Sequence, residues 1–503
     1  MNRNKQLEIN MVAQIIAFIV SLGISFLLTP FIVNNVSSEA YGFVGLSNNF
    51  VSYAELVTIA LNSMAGRFIT IKIHQNDKIG ANKYFTSVVF ANIVLAFIVA
   101  ILSLIIVLFL DKLVNIPSEI LIDAKLLFAL MFLNFIISII SGIFGVAVFA
   151  TNKLYLSSIR NIAAQIIRVG ILVIAYSAFK PAVWYLGLSA CICTTYNLIW
   201  NIRYTKILLP DIEVKRKYFD SKSILEIISS GIWNTITKLS QILTSGLDLL
   251  ITNLLINSAM MGILSIAKTV PTAITSLIVT VASVFSPSMT IAYAKNNKNE
   301  LVNQINQAMK IMTIFTVIPN AVLVCFGKEF YRLWIPQENI DLIYTLSVLS
   351  ILNSVVSGVI YPLYNVFTIT NKVKINSIVM ILYGVISTTT TFTVLKFTDL
   401  GVYAIAGVST GYALILPFIF HIPYAAKYLD LKWYSFYNVA LKSILCFSLL
   451  TILGMGINKL VFIDSWISLI FICMIYSVLA LVLLLFIFLN KSERIILIKK
   501  LKR

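Results

Sequence analysis

The feature that most constrains this chain is a succession of apolar runs, each about 20 residues long, separated by short charged or turn-rich segments. A lipid core leaves backbone N–H and C=O groups no solvent to bond, so only helices or closed barrels cross it. The runs lack the dyad alternation of barrel strands, which makes them helices. The chain has 503 residues, of which 59% are hydrophobic, more apolar surface than a soluble core of that size buries. The expected fold is therefore an all-α integral membrane protein with about 14 transmembrane helices.

The formal charge of +18 would point to nucleic acid in a soluble protein. Here the basic residues fall in alternate loops, which encodes topology rather than a nucleic-acid partner. About 27 Lys and Arg lie at the termini or after even-numbered spans, including Arg3, Arg67, Lys153, Arg203, Lys217, Lys295, Lys432 and the tail from Lys491 to Arg503. About six lie opposite, Lys112, Lys180, Lys328, Arg332, Lys396 and Lys459. Both termini are expected in the cytoplasm of a bacterial-type cell. The first run, 9–33, is too long for a cleavable signal and reads as the first span. The five Cys lie in apolar segments and neither His74 nor His421 has company at metal-ligand spacing, so packing is expected of them, with no metal and no cofactor.

Sliding the chain by about 219 residues brings Thr151-Asn152-Lys153 and Ser158-Ile159 onto Thr370-Asn371-Lys372 and Ser377-Ile378. Leu7-Glu8-Ile9 likewise matches Leu225-Glu226-Ile227. With the shared order of spans and basic loops, these suggest two pseudo-symmetric six-helix lobes. The expected organisation is an N-lobe (1–202), a cytoplasmic basic linker (203–224), a C-lobe (225–421), and two extra helices with a basic tail (422–503).

Charges inside spans carry the functional signal, because each costs at least about 2.5 to 3.5 kcal/mol near the bilayer centre. Span 7 (225–256) sets Asn234, Lys238, Gln241, Ser245, Asp248 and Thr252 at steps of three and four, one helical face. Span 8 (259–285) carries Lys268 between Ser265 and Thr272. Span 2 (41–64) has Asn48, Ser52, Glu55 and Asn62, span 1 has Gln14, Ser21 and Ser25, and span 5 (161–179) has Asn161, Gln165 and Arg168. Such stripes are untenable against lipid and should line a cavity. At a rise of about 1.5 Å per residue Lys238 and Lys268 both fall near the midplane, Arg168 about 10 Å from the cytoplasmic edge, and Asp248 near the outer edge. Two ammonium groups do not neutralise each other, and an anion between Lys238 and Lys268 would. Glu55 and Asp248 are open to a salt-bridge role or to ion coupling.

Short motifs strengthen the transporter reading. Leu28-Thr29-Pro30, Tyr41-Gly42 and Gly66-Arg67-Phe68-Ile69 resemble the first two helices of polysaccharide-repeat flippases, the Wzx-type branch of the multidrug/oligosaccharidyl-lipid/polysaccharide exporter superfamily. Asp248 followed by Gly262, Phe285-Ser286-Pro287, Tyr331-Arg332-Leu333-Trp334, and Pro362-Leu363-Tyr364-Asn365 leading to Asn371-Lys372 resemble its second half. The resemblance implies two lobes around a cavity that move an undecaprenyl-pyrophosphate-linked oligosaccharide outward by alternating access, with membrane lipid and polysaccharide assembly machinery as company. It also implies pyrophosphate held by Arg67, Lys238 and Lys268. Span 1 departs from members with a basic residue there, having only Gln14 and serines inside.

Three rivals are separable. A cation-coupled multidrug antiporter of the same superfamily would want an acidic, aromatic-lined cavity. A membrane-embedded transferase would show a catalytic His or paired carboxylates near a sizeable loop, whereas His74 and His421 read as cytoplasmic-loop residues without such company. A scaffold would have no need of duplicated lobes with polar inner faces.

Overall fold

The computed structural model describes residues 3–286, 289, 292–293, 297–370 and 372–488, and all elements among them are helical. Pro287, Lys295, Asn371 and the basic tail from Lys491 lie outside the described residues. Twelve helical stretches are long and apolar enough to cross a membrane. The other two segments marked by the sequence, 182–202 and 225–256, are helical as well, but one ends in Arg203 and Lys206 and the other carries the Lys238 stripe.

The described residues form two compact units. The first runs to Ser265 and includes Ser377–Val385; the second is Ile266–Asn376 and the residues from Ile386 on. Unit 1 contains α1 (Arg3–Val36), α2 (Ser38–His74), α3 (Lys78–Leu108), α4 (Leu121–Phe144), α5 (Leu154–Ala178), α6 (Tyr185–Leu208), α7 (Ser221–Gln241), α8 (Asp248–Leu255) and most of α9 (Ser258–Ala267). Its core joins Leu61 and Ile69 of α2 to Phe85 and Val88 of α3 and Ile227 of α7.

Glycines allow close approaches at α2. A Cβ on Gly231 would sit 1.9 Å from the Ala60 carbonyl oxygen, and one on Gly42 would sit 2.7 Å from Cα of Gly262. The spacing of Gly42 and Gly262 in the chain matches the repeat offset to within one position. Tyr53 Oη donates to the Gly246 carbonyl at 2.7 Å, where a π-turn, Ile242–Gly246, separates α7 from α8. No proline announces that break.

The basic linker is narrower than 203–224, because α6 continues to Leu208 and α7 starts at Ser221. What remains is strapped along α3. Asn82 donates to the Asp211 carbonyl and accepts from Glu213 N–H, Thr86 Oγ1 donates to the Glu213 carbonyl, and Ser87 Oγ accepts from Asp220 N–H. Buried polar groups on α3 are thus satisfied by loop backbone.

Unit 2 contains α10 (Thr269–Ser283), α11 (Lys298–Trp334), α12 (Ile340–Ser357), α13 (Tyr361–Ile369), most of α14 (Val373–Phe397), α15 (Val402–Leu416), α16 (Ile422–Tyr428), α17 (Tyr437–Leu460) and α18 (Trp466–Phe488). Its core packs Val317, Ala321 and Phe326 of α11 against Leu450 of α17 and Tyr476 of α18. The apolar run of span 8 breaks at Lys268, just before Pro271. Proline lacks the N–H that the carbonyl one turn back would accept from. That carbonyl, Ala267 O, takes the Ser347 hydroxyl instead, at 2.6 Å.

His421 is no loop residue. It ends a π-turn, Pro417–His421, and is buried against Tyr364 and Phe420.

Candidate functional site

Unit 1 holds a half-open cavity of about 520 Å³ whose lining sets polar side chains among Ala17, Phe18, Ala164 and Ala190. Its wall along α5 is Ser158, Asn161, Gln165 and Arg168, at steps of three, four and three that place them on one helical face. α1 adds Gln14 and Ser21, α4 adds Asn134, and α6 adds Cys193, Thr194 and Asn197. The α5 face is fixed from its starting end. Asn10 on α1, 3% exposed, accepts from Tyr155 N–H at the start of α5 and donates to Asn152, whose positive φ ends the preceding turn.

Amides and hydroxyls cross-link the wall in pairs. Gln165 Nε2 donates to Ser21 Oγ at 3.1 Å, Thr194 Oγ1 to Asn134 Oδ1 at 2.6 Å, and Asn197 Nδ2 to Asn161 Oδ1 at 3.3 Å. Each amide has further donor or acceptor capacity beyond these bonds.

Arg168 is the only charged residue in this lining. Its Nε is buried with no hydrogen-bond partner. Arg160, two turns earlier on the same helix, shows what a satisfied arginine looks like here: Nε donates to Tyr204 Oη at 2.9 Å, Nη1 to Tyr196 Oη at 3.3 Å, and the guanidinium lies 3.5 Å from the Trp200 ring centroid. Arg168 lies close to the middle of Leu154–Ala178, so the cation is far from either end of its helix.

A second cavity in unit 1, about 390 Å³, is lined by Glu55, Thr58 and Asn62 of α2 and by Ser138 and Gly142 of α4. Glu55 Oε2 meets Lys238 Nζ of α7 at 2.6 Å, so the span 7 lysine has a carboxylate partner in this conformation.

The other residues singled out by sequence are dispersed. Gln14 joins Arg168 in the first cavity, whereas Asn48, Arg67 and Gln241 are exposed outside both linings. Asp248 is 6% exposed at the start of α8. Lys268 belongs to unit 2, at the break before α10. Asn134, Cys193, Thr194 and Asn197 escaped sequence reasoning because spans 4 and 6 carry no stripe of charge. Asn134, Thr194 and Asn197, polar side chains inside spans, were the available signal. Among the described residues no cluster of His, Cys, Asp or Glu could hold a metal ion.

Comparison with known proteins agrees with this architecture. The chain is similar to lipid II flippase MurJ in an inward closed conformation, with a TM-score of 0.64 and 16% identity over 95% of this chain and 98% of that one. It is also similar to a multidrug resistance MATE family transporter in an inward-facing conformation, with a TM-score of 0.63 and 16% identity over 84% of this chain and 97% of that one. At such identities the likeness is one of fold. The uncharacterized membrane protein EpsK of Bacillus subtilis (strain 168) is 27% identical over 465 residues, covering 92% of this chain and 91% of EpsK. The profile of the family described as polysaccharide biosynthesis protein matches residues 9–292, more than half of the chain. This multi-pass membrane protein is a member of the polysaccharide biosynthesis protein family.

Proposed function

We propose that the protein is a flippase that carries an undecaprenyl-pyrophosphate-linked oligosaccharide repeat from the inner to the outer leaflet of a bacterial cytoplasmic membrane. The observation that carries this reading is a cavity walled by carboxamides, hydroxyls and one arginine inside an apolar helix bundle. Such a lining suits a sugar head group and has no purpose against lipid. Family membership and the fold shared with a lipid II flippase support it.

In this reading the two six-helix lobes, 1–202 and 225–421, rock about the cargo, with both termini and the 203–224 segment cytoplasmic and 422–503 appended. The polyprenyl tail stays in lipid. Lys238 and Lys268 hold the pyrophosphate, and Arg67, Asn48 and Gln241 line its path. Glu55 holds Lys238 while the site is empty and yields it to a phosphate, since a doubly charged anion outcompetes one carboxylate. Glu55 and Asp248 are also the candidates for coupling an ion gradient. Nothing in this cycle makes or breaks a covalent bond, and the delivered repeat passes to polysaccharide assembly machinery.

A second reading, a cation-coupled multidrug antiporter, draws on Glu55 in the second cavity and on the fold shared with a MATE transporter. It is disfavoured by the Lys238 ammonium already on that carboxylate and by the lack of any carboxylate in the first cavity's lining.

The test is translocation of a fluorescent polyprenyl-pyrophosphate oligosaccharide in proteoliposomes. Protein-dependent flipping that falls about tenfold or more in both Lys238→Ala and Lys268→Ala is expected. Flipping untouched by either variant would remove the phosphate role, and dye efflux without any lipid flipping would favour the antiporter.

A further inference from the structure

Within the flippase reading, on which this step rests, we infer that the first cavity is a head-group subsite selective for an acidic sugar, with Arg168 reading its carboxylate. A cation held mid-helix in an apolar bundle carries a penalty that a partner normally removes. Arg160 has such partners on the same helix and Arg168 Nε has none. The lining offers no carboxylate either, so the missing partner is an oxyanion brought by the ligand.

Two sources of oxyanion are available on a lipid-linked sugar, its phosphates and any carboxylate on the sugar rings. The surroundings favour the second. Asn161 and Gln165 precede Arg168 on the same face of α5, and Asn134 and Asn197 add two more carboxamides to the lining. A carboxamide offers two donors and an acceptor to neighbouring sugar hydroxyls, which a diphosphate does not present. A guanidinium also matches a planar carboxylate in a bidentate fork. The volume of about 520 Å³ lies in the range of pockets that bury a small ligand, enough for sugar rings but not for the tail.

The internal repeat sharpens the assignment. Under the offset that aligns Thr151 with Thr370, Asn161, Gln165 and Arg168 become Met380, Gly384 and Ser387, and Cys193 becomes Tyr412, whose hydroxyl is 3.0 Å from that of Thr390. The second copy thus replaces the cation and amides of α5 with groups that need no ligand, while Asn134 keeps an amide counterpart in Asn353. Selectivity resides in the first.

The experiment is calorimetric binding to the purified full chain in detergent, with three soluble probes. They are an oligosaccharide bearing one uronic acid, its carboxyl-reduced twin, and the reduced twin carrying a pyrophosphate at its reducing end. The wild type should bind the acid about tenfold or more tighter than the reduced twin. Arg168→Gln should bind both alike, Arg168→Lys should keep part of the preference, and Asn161→Ala should weaken both in proportion. Equal binding of acid and twin by wild type overturns the inference. So does an Arg168 dependence confined to the pyrophosphate probe, which would place the lipid end of the cargo in this cavity. An intact acid preference in a protein that flips no lipid-linked sugar would support the subsite and overturn the flippase.

Discussion

α5 and α14 match in length and in the way they begin, but present different faces. The first and last residues of Leu154–Ala178 both fall, under the repeat offset, on those of Val373–Phe397. The turns that introduce the two helices also match. Thr151 Oγ1 donates to the Ala147 carbonyl and Thr370 Oγ1 to that of Val366, while Lys153 N–H closes on Val148 O and Lys372 N–H on Phe367 O. Backbone geometry at the entry is held in both copies by the same bonds. The faces that follow differ in chemistry, with Asn161, Gln165 and Arg168 in one and Met380, Gly384 and Ser387 in the other. Duplication preserved what makes the helix and released what the helix presents.

Exchanging the odd residue between copies would break this comparison most strongly. Ser387 is 1% exposed. Ser387→Arg would force a cation into a fully buried position, and should destabilise the protein by at least about 2.5 to 3.5 kcal/mol. The reverse change, Arg168→Ser, removes a buried donor without a partner and should leave stability unchanged or raise it by about 1 kcal/mol. Thermal unfolding of both variants in one detergent measures the pair. Equal losses would mean that Arg168 is a structural element of α5 like any other buried side chain.

The next effect concerns Glu55, whose counterpart in the register that pairs Gly42 with Gly262 is Thr275 of α10. Only the first copy carries a carboxylate to hold Lys238. Lys238→Ala or Glu55→Ala alone should cost between about 1 and 3 kcal/mol, since the pair is half-exposed rather than sealed. The double variant should recover part of that loss. A coupling energy near zero in the double-mutant cycle would show that the bridge adds nothing to the fold.

A smaller effect is expected at the entry to α5. Asn10→Ala removes the acceptor for Tyr155 N–H and the donor to Asn152. Loss of a capping side chain costs about 1 kcal/mol, read as a lower unfolding temperature. Binding of the acidic probe should weaken with it, because α5 carries five residues of the cavity wall. Unchanged binding would uncouple the cap from the site.

How far the sequence could be read follows the same division between frame and presented face. The apolar spans are a local signal and survive as helices, and the tripeptides that suggested the repeat lie in turns with matching hydrogen bonds. The α5 stripe was legible because three polar residues in one span share a face. Its partners were not, since Asn134, Thr194 and Asn197 come one or two to a helix and only tertiary packing collects them. That Glu55 is the carboxylate beside Lys238 was not legible, because it stands five spans earlier in the chain and no period links the two. The break at Lys268 was signalled by Pro271, whereas the π-turn at Ile242–Gly246 had no residue to announce it.

The least of the expected effects separates a charged cap from a neutral one in corresponding places. Asp77 caps α3 by accepting from Gly80 N–H at 2.8 Å. In the register of the Gly42–Gly262 pair its counterpart is Asn297, which caps α11 in the same way by accepting from Glu300 N–H at 3.1 Å. The Gly80 N–H, and then the Lys72 ammonium 3.1 Å away, hold the Asp77 carboxyl below the usual carboxylate range. A lowered value in the folded state means that the ionised cap stabilises the helix start above the unfolded carboxylate value of about 3.9, and that this support is lost as pH falls through the lower folded value. Asn297 has no carboxyl to titrate. Hydrogen exchange at Gly80 and Ala81 should therefore quicken, after correction for intrinsic rates, when pH drops from about 5 to about 3, while exchange at Glu300 and Leu301 stays level. In Asp77→Asn the first pair should become as indifferent as the second, since an Asn cap is about as good as an ionised Asp. A wild type whose two caps respond alike to acid would show that the charge at Asp77 is incidental, and that both copies rely on the bare geometry of an accepting oxygen.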